Sequence, residues 1–491
     1  MDLTQVLPGE ILADVLRRVA PRGLAACRCA CKALLAVIDD RRLLRADLLP
    51  LSLGGIFINF YCEHVSEFFA RPSTGPTISG RFDYVPHAGR TDWRKIKDHC
   101  NGLVLLGNAW DWEDCYVVNP ATRQWDSLPP RPSLLEEIHD DFRCEYYLVF
   151  DPMVSPDYEV FVILIPRYSG EPEDEAADPV ILEEPESEWP PSLCALHVFS
   201  SKSGGWKERS FIRQGEAAGT VSGMRRHFEW CDDKRHAVHY QGALYVHCKT
   251  DFVMRICLSN DKYQVIKPPM HREPDDNHKL HLGRSEKGVY LATTTFGSEK
   301  GLYLATTTFG TPRLMVWVLE ESCGHTNWVL KHNNCVTPIQ DDRRPILGPW
   351  VLQDINFGEY LKECKEYNQH DKNLEWLMEM KLELNSSKKE LVEEKFEWDS
   401  ENDNVLQKED EVDGRGSGYF GILGFHPYKE VVFLHQSMCR GLAYHLKDSK
   451  VQDLGYLYPT TCHLALGADR FITDSFPYTP CWTELQKATR M

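Results

Sequence analysis

Tyr116-Val117-Val118-Asn119-Pro120-Ala121-Thr122-Arg123-Gln124-Trp125 is the stretch on which the reading of this chain turns. A short aromatic and β-branched run suits a half-buried strand. Asn-Pro stops it, because both residues favour a turn. After a polar loop the chain resumes at an aromatic residue. The same unit recurs on either side. Leu103–Leu106 precedes it, and Tyr147–Phe150 leads through Asp151-Pro152 to Tyr158–Ile165. Leu196–Phe199 passes through Ser200–Gly205 to Trp206, and Ala237–Tyr240 and Ala243–His247 form a predicted hairpin around Gln241-Gly242. Phe252–Leu258 and Tyr263–Ile266 flank Ser259–Lys262, and Leu314–Leu319 precedes Trp328–Leu330. Ile422–Phe425, Val431–Leu434, Leu442–Leu446 and Val451–Leu454 continue the rhythm. Many short strands at regular spacing predict a sandwich, barrel or propeller. Their number over residues 51–480 favours a β-propeller, whose blades are four-stranded and number about 4–8. The repeats are too divergent to give the blade count.

Two stretches interrupt the rhythm. Ser285–Gly297 is copied as Ser298–Gly310 with one Val-to-Leu difference. The copy is too short for a blade and reads as a local duplication, so one copy either loops out or adds a strand to a sheet edge. Residues 359–414 are rich in Glu and Lys. Leu374, Leu377, Leu384 and Leu391 fit a heptad frame, but Lys381 and Lys388 occupy the alternate seam positions, which disfavours a coiled coil. A charged, partly helical insertion on the rim of the β domain is expected there.

Ahead of residue 51 the period changes. Leu7, Ile11, Leu12, Val15, Leu16 and Val19 recur at helical spacing, and Pro8 stands near the start, where its missing N–H costs little. Pro21 and Gly23 break the pattern before a second apolar set, Leu24, Cys27, Cys31, Leu34, Leu35 and Ile38. So few helices bury little surface by themselves, and a partner is expected.

Residues 7–40 resemble the F-box. The resemblance rests on Leu7-Pro8-Gly9-Glu10-Ile11-Leu12, Val15-Leu16, Gly23-Leu24, Cys27-Arg28-Cys29-Ala30-Cys31-Lys32, Leu34-Leu35 and Ile38. Where that family usually has Trp two residues after the Lys, this chain has Leu34. Leu34 keeps an apolar contact with less area, a loss on the order of a few kcal/mol if neighbours do not close in. The remainder resembles the F-box-associated region of plant F-box proteins, particularly those of grasses. It does so at His99-Cys100-Asn101-Gly102-Leu103, Val118–Trp125 and Phe425-His426-Pro427. The resemblance implies a small all-α F-box at 1–48 and a mainly β, propeller-like substrate-binding domain at 51–480. It implies docking on a Skp-family adaptor, and through it on a cullin, with the β domain selecting a protein for ubiquitylation. Leu7, Pro8, Ile11, Leu12, Val15 and Leu24 would form the apolar adaptor face, with Cys31 and Leu34 beside it and Lys32 at its polar rim. The alternative is that these residues pack only a small helical core of their own.

Composition narrows the function. The net charge of −18 argues against a phosphate-binding surface, so no nucleic-acid partner is expected. The 17 Cys include no CxxC pair, and Cys27, Cys29 and Cys31 are spaced by two on a predicted helix, where they point to different faces. No metal or cofactor is expected, and free thiols fit a reducing compartment. Met1–Glu10 lacks the long apolar stretch of a leader, and no apolar run approaches the roughly 20 residues of a membrane span. Cytoplasm or nucleus is therefore the expected location, and the sequon at Asn385 is expected to be unused. Gly416–Gly421 has GxGxxG spacing, but a charged run precedes it and a strand follows, which is not the context of a phosphate loop. No HExxH or GxSxG occurs. His236 and His239, three apart in a strand, are expected on opposite faces. The acidic runs Glu171–Asp178 and Glu183–Glu188 read as a solvated loop. A non-catalytic receptor is the leading function. An enzyme would need His, Tyr, Cys or carboxylates converging on a central channel. An interaction scaffold with a decayed F-box is the third possibility, with Leu34 as its sign.

Overall fold

The computed structural model of the protein describes residues 9–16, 34, 36–38, 53–61, 63–72, 78–86, 94–108, 115–130, 142–168, 187–226, 236–269, 280–295, 312–322, 325–338, 348–366, 378, 419–463 and 471–487. The second copy of the duplicated segment (298–310), the acidic run 171–178, the sequon and the insertion beyond Glu366, Met378 apart, lie outside them.

One helix opens the described chain, α1 (Gly9–Leu16). Strands follow: β1 (Gly55–Phe60), β2 (Glu67–Ala70), β3 (Arg94–Cys100), β4 (Leu103–Asn108), β5 (Tyr116–Asn119), β6 (Gln124–Ser127), β7 (Phe142–Phe150) and β8 (Tyr158–Pro166). A small ribbon of β9 (Glu188–Trp189) and β12 (Gly219–Thr220) brackets β10 (Leu193–Ser200) and β11 (Gly205–Gln214), and leads into the short helix α2 (Val221–Arg226). Next come β13 (Ala237–Tyr240), β14 (Ala243–His247), β15 (Val253–Cys257) and β16 (Lys262–Ile266), then β17 (His281–Ser285), β18 (Gly288–Thr295), β19 (Arg313–Ser322) and β20 (His325–Cys335). After β21 (Val351–Leu352) and helix α3 (Ile355–Glu366) the chain forms β22 (Phe420–Phe425), β23 (Val431–Gln436), β24 (Arg440–His445), β25 (Val451–Tyr456) and β26 (Ile472–Tyr478).

These strands make antiparallel sets of four: β21-β2-β1-β26, β3 to β6, β7-β8-β10-β11, β13 to β16, β17 to β20 and β22 to β25. The third and fourth sets join edge to edge through a parallel pairing, Ile212–Gln214 of β11 alongside Lys262–Gln264 of β16. The first strands of successive sets, β26, β3, β7, β13, β17 and β22, touch one another in turn, and β22 returns to β26. The ring is thereby closed. The protein is mostly β-sheet, and the arrangement is propeller-like.

The core explains why so many strands are buried on both faces, as in β1, β5, β14 and β23. Each gap between neighbouring sets holds one apolar layer. Phe57, Val104 and Val118 fill the first gap; Leu105, Tyr146 and Val160 fill the second. Phe161, Leu244 and Ile256 occupy the third, and Tyr245, Leu291 and Trp317 the fourth. Tyr290, Val316 and Leu434 occupy the fifth, and Ile58, Trp350 and Phe433 the last. A sheet covered on both sides has no solvent face, so its strands read as apolar runs rather than as clean alternation.

Ring closure uses both ends of the β region. β26 pairs antiparallel with β1, with Gly55 opposite Tyr478 and Phe57 opposite Phe476. Packing continues beyond residue 480, since Cys481 and Leu485 are buried in the second layer. The duplicated segment contributes β18 from its first copy, paired on both sides. Among the described residues no helix is long and apolar enough to cross a membrane.

Candidate functional site

Two regions present chemistry to a partner: the exposed side of α1 and the axis of the ring. In α1, Leu12, Ala13 and Leu16 are buried, whereas Ile11 and Val15 are 50% and 51% exposed. Residues four apart lie one above the other on a helix. Ile11 and Val15 therefore form a small apolar stripe open to solvent. Of the other residues predicted for adaptor docking, Leu34 is helical and half-buried, and Ile38, also helical, is fully buried. Leu7, Pro8, Leu24, Cys31 and Lys32 lie outside the described residues.

At the axis, the innermost strands surround a cavity of about 90 Å³. Its wall carries His99 of β3, His236 and His239 at β13, His281 of β17, and Phe425 of β22. The His236 and His281 rings lie 4.1 Å apart, and His236 and His99 each approach the Phe476 ring, at 6.1 and 5.5 Å. Burial holds His239 below the usual imidazole range. His236 and His239 both line this cavity. Their strand is the innermost of its set, so the cavity meets its edge and not one face alone. Among the described residues no group of three His, Cys, Asp or Glu is arranged to hold a metal ion.

One mouth of the cavity lies where the innermost strands end. The guanidinium of Arg284, in β17, stands 5.6 Å over the Tyr240 ring and donates from Nη1 to Asn101 Oδ1 at 3.4 Å. Deeper, the Asp98 carboxylate accepts the Leu148 N–H at 2.7 Å, and the Cys100 thiol donates to the Phe150 carbonyl. Burial, more than any neighbour, pushes that thiol up to about 12, so it is not a nucleophile at neutral pH.

The three sequence pieces behind the resemblance all have structural duties, two of them beside this mouth. Asn101-Gly102 is a two-residue hairpin between β3 and β4, with φ of 45° and 90°. Asn-Gly suits such a turn because both central residues need positive φ. Asn119 is fully buried. Its Nδ2 donates to the Cys481 and Thr483 carbonyls, and its Oδ1 accepts from Ala121 and Thr122. Gln124 Oε1 accepts the Leu485 N–H, so the Asn119–Gln124 loop grips residues 481–485. His426 is buried and held down at about 3, first by burial and then by Lys429, and its Nδ1 accepts the Tyr428 N–H. It orders the turn between β22 and β23 as a neutral ring.

His281 and Arg284 escape a reading of the sequence by motif, and His99 enters it only as part of the resemblance. Their strands, Arg94–Cys100 and His281–Ser285, are polar and match no strand pattern. Only their place at the axis gathers them.

No family model matches the chain. A distant, partial homologue is a putative F-box/kelch-repeat protein of Arabidopsis thaliana, 28% identical over 185 residues. The match covers 33% of this chain and 44% of that protein, so it spans less than half of the relative's length.

Proposed function

We propose that this chain is the substrate-recognition subunit of a Skp-cullin-F-box ubiquitin ligase acting in the cytoplasm or nucleus. In this reading the β region is a six-bladed propeller that holds the protein to be ubiquitylated. The N-terminal helices dock on the Skp-family adaptor, which brings the cullin. The chain itself performs no chemistry. One observation carries the reading: α1 buries Leu12 and Leu16 yet leaves Ile11 and Val15 open to solvent. Two apolar side chains one turn apart make a stripe that a partner's apolar surface would cover. The name of the partial homologue points the same way, pairing an F-box with a repeat domain. Leu7, Pro8, Leu24, Cys31, Lys32 and Leu34 complete the proposed docking surface around that stripe.

The test is co-purification of the full chain with a Skp-type adaptor. Ile11→Asp with Val15→Asp places two charges on exposed positions, so the fold tolerates them while an apolar contact does not. Loss of adaptor in the double variant supports the reading. Undiminished binding by that variant, and by Leu7→Asp with Pro8→Ala, defeats it.

A further inference from the structure

Arg284 lines the axial cavity, and among the described residues most of its donors are uncommitted. A guanidinium has five N–H groups in a planar fork. Among the described residues, its one hydrogen bond is the 3.4 Å contact from Nη1 to Asn101 Oδ1, and no carboxylate forms an ion pair with it. Its plane is nonetheless oriented. The Tyr240 ring lies 5.6 Å from the guanidinium carbon, and Asn101 is itself held by a 2.6 Å bond from its Nδ2 to the Phe150 carbonyl. An arginine fixed by a ring and an amide, beside a cavity of about 90 Å³, has the pre-organisation that bidentate recognition requires.

We propose that the axial cavity is a carboxylate-binding site in which Arg284 receives an acidic side chain of the recruited protein. The inference rests on the receptor reading above and adds to it the chemistry of the target. Among anions, the charge balance disfavours a dianion. Arg284 is the only Lys or Arg among the described lining residues, and Asp98 also belongs to the wall. The Asp151 carboxylate acts on His239, at the same mouth. A phosphate dianion would meet these two carboxylates with a single cation to offset them, whereas one carboxylate matches one guanidinium fork. His239 and His281 are polar neighbours able to share the ligand without adding a fixed charge.

The experiment uses the full chain and three probes: a random peptide library with one fixed Glu, the same library with Gln in its place, and succinate as a small carboxylic acid. The Glu library should be enriched over the Gln library, and Arg284→Met should lower binding of the enriched peptides by roughly tenfold or more. Arg284→Lys, which keeps the charge without the fork, should fall between them. Adaptor co-purification by both variants should be unchanged, and a melting temperature close to the parent's shows that the ring folds. Capture of succinate with no preference for Glu peptides would give the site to a small metabolite and overturn the assignment to a protein side chain. Equal capture of both libraries, no capture of any probe, or full binding by Arg284→Met would overturn the site itself. Failure of the receptor reading shows separately, as adaptor binding that ignores Ile11 and Val15.

Discussion

Replacing Asn119 with Ala removes the side chain that ties the end of the β region to the ring. Asn119 is fully buried, and its amide nitrogen donates at 2.9 Å to both the Cys481 and the Thr483 carbonyl. Its oxygen accepts from Ala121 at 3.1 Å and from Thr122 at 3.4 Å, so no polar atom of the side chain is idle. Alanine leaves both carbonyls without this donor, at about 1–3 kcal/mol for each group left unsatisfied in a buried place. The Thr483 contact is part-buried and some water reaches it. The expected loss is therefore about 2–5 kcal/mol rather than the full sum. Asn119→Asp is the sharper variant. It preserves the two acceptor contacts but turns a carboxylate oxygen toward two carbonyl oxygens, so it should lose at least as much as alanine. Urea unfolding followed by tryptophan fluorescence measures the change from the midpoint at constant slope. Hydrogen exchange over residues 479–487 should rise in both variants, including at Leu485, whose N–H bonds to Gln124. An Asn119→Ala protein within 0.5 kcal/mol of the parent, or an Asn119→Asp protein as stable as the parent, would refute the assignment of this loop as a clasp.

Three further outcomes are expected. Glu67 is buried, and burial together with the nearby Asp354 carboxylate raises it from 4.5 to about 7. The folded state therefore keeps a proton that the unfolded chain has released between those values. Stability should fall as pH rises through this window, by about 3 kcal/mol at most, and Glu67→Gln should flatten that slope in pH-dependent melting. In Gly102→Ala, the added carbon would stand 2.3 Å from Cys481 Cβ at a φ of +90°, so the variant should melt well below the parent in calorimetry. The double variant Ile11→Asp with Val15→Asp should lose adaptor in co-purification while its melting temperature stays within a degree or two of the parent, because both positions are half exposed.

How far the fold could be read ahead depends on where its contacts lie along the chain. Local hairpins were legible. Ala237–Tyr240 and Ala243–His247 are strands around Gln241-Gly242, as the alternation and the glycine predict, with φ of 47° and 73° at the turn. Non-local pairings were not. The first set of strands draws β1 and β2 from residues 55–70, β21 from 351–352 and β26 from 472–478, so it has no contiguous repeat to count. That composite set is why the number of sets could not be read from the sequence. β3 was hidden for another reason. Its Arg-Lys-Ile-Lys-Asp-His-Cys reads as polar, yet Arg94 and Asp98 are both buried. Arg94 donates to the Pro86 carbonyl and packs on the Tyr116 ring, while Asp98 takes the Leu148 N–H. Partners supplied by distant segments make that strand possible, and no window of sequence contains them. The axial residues follow the same rule, for the wall of a channel is assembled from one short piece of each set.

The closed ring also limits where recognition can occur. Both faces of the sheets are occupied by neighbouring sets, and the terminal strands β1 and β26 zip together instead of presenting an edge. A target therefore has access to turns at the two ends of the ring, to the outer strands and to the axis. Of the three motifs behind the resemblance, Asn101-Gly102 and Phe425-His426-Pro427 shape turns beside the axial mouth, while Asn119–Gln124 clamps the residues that follow β26. Each is spent on scaffold: a turn that only small or permissive residues can make, a buried amide with four partners, a neutral imidazole capping a turn. Arg284 differs from them, since among the described residues it makes one hydrogen bond and has donors to spare. Residues consumed by the scaffold hold the ring together, and those left over, on the axis and on the open side of α1, are where recognition of a partner can be set.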